Sequence, residues 1–138
     1  MFCEIVEGRA EASFVYSDDR VVAFMDHGAV TPGHLLVIPV AHIAYLADLP
    51  EDLGSHLFVV ATRLAAALRR SGLPCEGINL FLADGEAAFQ EVFHAHLHVF
   101  PRTPDDGFTI DSPAWSRPKP PRSELDANAE AIRAALHP

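Results

Sequence analysis

Three histidines at alternate positions, His94, His96 and His98, are the residues of this chain best suited to chemistry. A neutral imidazole near pH 7 can serve as nucleophile, general base or metal ligand. Alternate side chains of a strand share a face. The run Phe93-His94-Ala95-His96-Leu97-His98-Val99-Phe100 therefore sets the three imidazoles on one side, roughly 6 to 7 Å between successive partners. Phe93, Ala95, Leu97 and Val99 form the opposite face, apolar enough to lie on a core. Pro101 cannot donate to a ladder and is expected to stop the strand. Imidazoles at that spacing diverge from any one point, so zinc would need ligands from other strands. Strict alternation of a rare residue reads as a site rather than as three solvated side chains.

The rest of the chain must hold that strand. Residues 2 to 8 form a short helical turn with Phe2 and Ile5 on one face, ended by Gly8. Phe14 to Ser17 and Arg20 to Asp26 read as two strands of a hairpin turning at Asp18-Asp19. The second is apolar on both faces, as a central strand is. Gly28 to Gly33 is a loop broken by Thr31-Pro32-Gly33, and His34 to Pro39 is a short, almost wholly apolar strand. Asp48-Leu49-Pro50-Glu51 has the spacing of a capping box. After it Leu53, Leu57, Val60, Ala61, Leu64 and Leu68 recur at helical spacing to about Arg70. Ile78 to Ala83 is a strand, and residues 84 to 91 are a loop leading to the histidines. Residues 111 to 122 carry four of the eleven prolines and read as an irregular arm. Ser123 to Leu136 is a final helix with Ser123 as its cap. The fold class is α+β, an antiparallel five-stranded sheet with one long helix and a C-terminal helix.

Composition narrows the function. The 138 residues fit one domain, with a core over residues 2–110 and an arm and helix over 111–138. At 49% hydrophobic and 21% charged the chain is globular. Nineteen acidic against ten basic residues, a net charge of −9, disfavours long polyanions such as duplex DNA. Cys3 and Cys75 are too few for a disulfide scaffold and fit a reducing compartment. No signal-like leader or membrane span is visible, so the cytoplasm is the expected location.

The histidine run also resembles the histidine triad (HIT) family, in its bacterial branch. His94-Ala95-His96-Leu97-His98-Val99-Phe100 matches that family's alternating histidine motif. Asp18 to Asp26, then Thr31-Pro32-Gly33-His34-Leu35-Leu36-Val37-Ile38-Pro39 and His42, are similar to its N-terminal half in order and spacing. Gln90 stands four residues before the first histidine of the motif, and the similarity covers residues 2 to about 110. The resemblance implies a homodimer acting on a purine nucleotide. It also implies cleavage of nucleoside 5′-phosphoryl bonds, of dinucleoside polyphosphates or phosphoramidates, through a nucleotidyl-histidine. His96 matches the nucleophile. His94 and His98 flank it, holding its tautomer and adding positive field, and His34 matches a fourth histidine near the phosphate. Asp26 matches the ribose-binding acceptor, Phe2, Ile5 and Phe24 match the base sandwich, and Gln90 completes the nucleotide site.

Three positions depart from the family's pattern. Ala83 stands where asparagine or glutamine is usual, Phe89 where glycine is usual, and Glu91 where serine or threonine is usual. They remove a donor, crowd a loop that approaches phosphate, and bring a carboxylate toward it. The alternative reading is therefore a catalytically weak module of the same fold that binds or senses nucleotide. A metal-binding protein using His34, His42 and the triad is a third reading. Some bacterial relatives hold zinc with Cys-x-x-Cys and two histidines; here Cys3 and His42 match part of that set, and the first cysteine would fall before Met1. No metal site and no cofactor are expected. Alanines at 61, 65, 66 and 67 let the long helix approach another element closely, as at a two-fold interface.

Overall fold

Strand residues with bulky apolar side chains on both faces need cover on both, and that requirement shapes this chain. The computed structural model describes residues 1–136. They form α1 (Phe2–Val6), β1 (Phe14–Ser17), β2 (Val21–Met25), β3 (Leu35–Pro39), α2 (Glu51–Arg70), β4 (Gly77–Leu82), β5 (Leu97–Arg102) and α3 (Arg122–Leu136). Met1–Phe108 is one compact unit, and the residues from Thr109 onward are another, consisting of a 3₁₀ turn (Pro113–Ser116) and α3.

Within the first unit the strands lie in the order β1-β2-β3-β5-β4, each pair antiparallel. Register divides the two faces. Phe14 opposes Phe24, Phe24 opposes Leu36, Leu36 opposes His98 and His98 opposes Phe81, so one row of like-facing residues crosses all five strands. The other face carries Val21, Ala23, Leu35, Val37 and Val99, covered by Leu53, Leu57, Val60, Ala61 and Leu68 of α2. Each such Val or Leu fully buried contributes about 1.5–3 kcal/mol. The first face is covered more sparingly: Phe2 of α1 packs with Val22, Phe24, Leu36 and Ile38.

Asp18 ties the hairpin to α2. Its Oδ1 accepts from the backbone N–H of Arg20 and Val21 at 2.8 and 2.7 Å. Its Oδ2 lies 2.6 Å from both the Tyr16 hydroxyl and His56 Nε2. The Tyr16 hydroxyl, with His56 and the two backbone donors, holds this carboxyl well below the usual range against the opposing effect of burial. Gly33 is required where it stands. Its φ is +99°, and a Cβ there would meet Pro101, Leu68 and Leu73 at 3.1–3.2 Å.

Four expectations are corrected. Helix α2 begins at Glu51 with Pro50 as its cap residue and no side-chain cap bond, so Asp48, in a 3₁₀ turn, makes no capping box. Helix α3 starts one residue before Ser123, and the Pro121 carbonyl accepts from Glu124 and Leu125 instead of a serine cap. Pro101 lies inside β5 rather than ending it. The Pro101 carbonyl accepts from the Thr31 hydroxyl at 2.8 Å, so the edge that lacks an N–H faces the loop before β3, where no ladder runs. Phe93 does not lie on the core face: it is 44% exposed and its ring sits 6.1 Å from that of Tyr45.

Candidate functional site

Strand β5 begins only at Leu97, so His94 and His96 precede the ladder and His98 lies within it. Proline explains the break. Beyond Val37, which opposes Leu97, strand β3 reaches Pro39, which has no N–H to continue the rungs. Side chains and single backbone bonds take over. His94 Nε2 donates to the Pro39 carbonyl at 2.8 Å, and the Ala95 N–H donates to the Ile43 carbonyl at 2.7 Å. The segment stays extended enough to keep the imidazoles together, with the His96 and His98 ring centroids 5.0 Å apart.

The hydrogen bonds fix where each ring proton sits. His96 Nδ1 lies 2.7 Å from the His94 carbonyl, which can only accept, so Nδ1 carries a proton and in the neutral ring Nε2 is the bare nitrogen. Buried His34 receives the Val30 N–H on Nδ1 at 3.0 Å, which puts its own proton on Nε2. That Nε2 donates to His98 Nδ1 at 2.9 Å, leaving His98 with an Nε2–H. One histidine thus offers a bare nitrogen and its neighbour an N–H.

Burial sets the charges. It pushes His98 down to about 4, helped by His96 and His34 and opposed by Asp26. It also lowers His94, opposed by the Pro39 carbonyl, and lowers His34, opposed by Asp26. His94 and His98 are therefore neutral at pH 7, so the positive field expected of them gives way to N–H dipoles. His94 fixes the His96 tautomer with its backbone carbonyl, not with its ring.

A cavity of about 840 Å³ runs along this face. Phe2, Ile5, Phe24 and Leu36 make an apolar end, and His96, His98 and Asp26 also line it. The Phe2 ring meets the His96 ring edge-on at 5.1 Å, and Phe81 meets His98 at 5.8 Å. Asp26 Oδ1 accepts from the Gly28 N–H at 2.9 Å, while Oδ2 lies 3.5 Å from His34 Nε2. Of the residues singled out by sequence, His34 stands behind His98, and His94 behind the cavity against Pro39. Gln90 is buried outside the lining. Its Oε1 accepts from the Gly85 N–H at 2.7 Å, and its Nε2 donates to the carbonyls of Ala44 and Val92 at 2.8 and 3.2 Å. It braces the loop with its whole amide.

Ala83, Phe89 and Glu91 all line the cavity. Phe89 is 82% exposed and holds φ +71°, a left-handed conformation that glycine adopts without strain. Sequence reasoning missed Phe81 and Glu11, which also line it. The signal for Phe81 is its place directly opposite His98 in the β4–β5 register.

One further cluster could hold a metal. Cys3 Sγ lies 3.3 Å from His42 Nδ1 and 3.7 Å from His94 Nδ1, spacings that suit three corners of a tetrahedron. A structural zinc site closes with four protein ligands.

Comparison with known proteins places this geometry. The HIT domain family model matches residues 7–105. The uncharacterized HIT-like protein SSO2163 of Saccharolobus solfataricus is 40% identical over 77% of this chain and 76% of its own length. A Zn-bound histidine triad family protein from Mycobacterium smegmatis is 39% identical, with a TM-score of 0.75 over 97% of this chain and 95% of that one. The histidine triad nucleotide-binding protein of Candida albicans is 26% identical, with a TM-score of 0.84 over 98% of this chain and 95% of that one.

Proposed function

The chain belongs to the HIT domain family, a nucleotide-binding hydrolase and transferase kind of protein, and on that premise we propose that it cleaves nucleoside 5′-phosphoryl bonds through a nucleotidyl-histidine. The observation that carries this reading is the His96 ring, its Nδ1 proton held by the His94 carbonyl and its bare Nε2 at the cavity. That nitrogen attacks the α-phosphorus, a P–N bond forms, and the leaving group departs with the electron pair of its former bond to phosphorus. Water then attacks the same phosphorus, the phosphorus–nitrogen bond breaks with its electron pair returning to Nε2, a proton of the water passes to solvent, and the nucleoside monophosphate is released. The His98 Nε2–H donates to a phosphoryl oxygen as charge gathers there.

The apolar end made by Phe2, Ile5, Phe24 and Leu36 suits a purine base, and the free lone pairs of Asp26 suit ribose hydroxyls. Zinc held by Cys3, His42 and His94 would occupy the His94 Nδ1 lone pair and fix that ring beside Pro39. These three ligands alone would not close a structural site, which needs a fourth, and no step of the reaction passes through the metal. Free Cys3 and Cys75 fit a reducing compartment, and we place the protein in the cytoplasm, with neither nucleic acid nor membrane as its partner. Among the described residues no helix is long and apolar enough to cross a membrane. Exposed Phe58 and Val59 on α2 and Leu80 on β4 support a homodimer. Light scattering should give about 30 kDa, two chains of 15.0 kDa, and a monomer at micromolar concentration would refute it.

The test is AMP release from adenosine 5′-phosphoramidate and from a diadenosine polyphosphate, with acid-free quenching to trap an adenylyl group on His96. Release together with the trapped adduct is expected. Tight AMP binding with no release from either compound would favour the binding module, which Ala83, Phe89 and Glu91 at the cavity rim make the specific rival.

A further inference from the structure

The rim of the cavity differs from its apolar end in charge. Among the described residues three carboxylates, Glu11, Asp26 and Glu91, line the cavity, and no lysine or arginine does. Glu91 is exposed, and it leads through Val92 and Phe93 into the histidine segment. Phe81, 48% exposed, and Phe89, 82% exposed, line the same cavity as apolar rings open to solvent. Ala83, buried there, offers no polar atom beyond its backbone.

A leaving group that reaches these lining residues would meet a carboxylate and two aromatic rings. A polyphosphate would bring further negative charge toward Glu91 with no Lys or Arg to receive it, an arrangement that disfavours binding. An organic amine with a second, cationic nitrogen meets the opposite: a counter-charge in Glu91 and ring faces that attract cations.

We infer that Glu91 is a specificity-determining residue that selects nucleoside 5′-phosphoramidates whose leaving amine carries a remote positive charge. The inference rests on the hydrolase reading above. In the step it concerns, the His96 Nε2–phosphorus bond forms and the phosphorus–nitrogen bond breaks. The amine leaves with that electron pair and takes a proton from solvent, and its remote ammonium stays paired with Glu91 until release.

The test uses three adenosine 5′-phosphoramidates of matched length, made from putrescine, butylamine and γ-aminobutyrate: cationic, neutral and anionic at the far end. On the native protein kcat/KM should fall in that order. The cationic compound should lead the neutral one by about three- to tenfold at low salt, shrinking toward unity at 1 M salt. Glu91→Gln should cut the cationic-over-neutral ratio below about twofold, and Glu91→Asp should keep it above that value. A merely structural role for Glu91 would move all three rates together and leave the ratio and its salt dependence unchanged. Equal rates on the three compounds, or a ratio unchanged in Glu91→Gln, would overturn the inference while leaving the hydrolase reading standing. If all three bind and none releases AMP, the hydrolase reading fails. The charge preference is then read from the three dissociation constants, and equal values overturn it.

Discussion

On one face of the sheet α2 lays Leu53, Leu57, Val60, Ala61 and Leu68 over Val21, Ala23, Leu35, Val37 and Val99. On the other, a helix of five residues leaves His96 and His98 at an open cavity. The same strands supply both faces, yet different forces organise them. The α2 face is held by burial, which is non-directional and sums over many side chains. The cavity face has a smaller buried cluster, Phe2 with Val22, Phe24, Leu36 and Ile38. Its imidazoles are held by single directed bonds: His96 to the His94 carbonyl, His94 to the Pro39 carbonyl, and Val30 to His34 to His98. A change on the first face should cost stability, and a change on the second should cost chemistry.

The largest separation is expected between His96→Ala and Leu57→Ala. Loss of the attacking nitrogen should lower kcat/KM by about 10⁴-fold or more, with the thermal midpoint little changed. Leu57→Ala, emptying a buried site under α2, should cost about 2–5 kcal/mol in urea unfolding while kcat per folded molecule holds. If His96→Ala instead unfolds the protein, or Leu57→Ala chiefly lowers kcat, the division between the faces is wrong.

Much of this division was legible in the sequence. The alternation of Val22 and Phe24 with Val21 and Ala23 marks a strand buried on both faces, and the spacing from Leu53 to Leu68 marks the helix that covers one of them. Phe2, Ile5, Phe24 and Asp26, singled out by resemblance, line one cavity with His96 and His98 of the motif, while Leu36 of the apolar end was not singled out. What the sequence hid depends on tertiary partners. Nothing local says that Pro39 will stop the β3 ladder beside His94, which is why His94 and His96 fall outside β5. Burial, visible only once tertiary neighbours close around them, turns His94 and His98 from expected cations into neutral donors. Gln90 looked like a ligand because of its place, but its amide faces the loop that it braces.

Acid should separate the faces next. His98 has a folded pKa of about 4 against an ordinary 6.5. Between those values the unfolded chain binds a proton that the folded chain does not. Stability is therefore complete above about pH 6.5 and falls as pH drops through 4, by roughly 3 kcal/mol for this group. His34 and His94, also lowered, act in the same direction. Asp18, which braces the α2 side, contributes stability that is lost only below its ordinary value of 3.8. Urea midpoints should accordingly decline from pH 6.5 to 4.5, and His98→Asn should flatten that decline. An unchanged slope in the variant would contradict the burial argument.

The smallest expected effect lies at the rim. Phe89 holds φ +71° with its side chain 82% exposed, so it accepts backbone strain with little burial in return. Phe89→Gly should raise stability by about 0.5–1 kcal/mol by chemical denaturation. A loss of stability would mean that the Phe89 ring supports the loop.

The account turns on which nitrogen of His96 carries the proton. Long-range proton–nitrogen correlation at pH 7 on the uniformly ¹⁵N-labelled protein reads it directly, with His96→Asn to assign the ring. The predicted spectrum shows His96 protonated on Nδ1 with an unprotonated Nε2, and His34 and His98 protonated on Nε2. A His96 ring protonated on Nε2 would leave no nucleophilic nitrogen at the cavity and would contradict the proposed reaction.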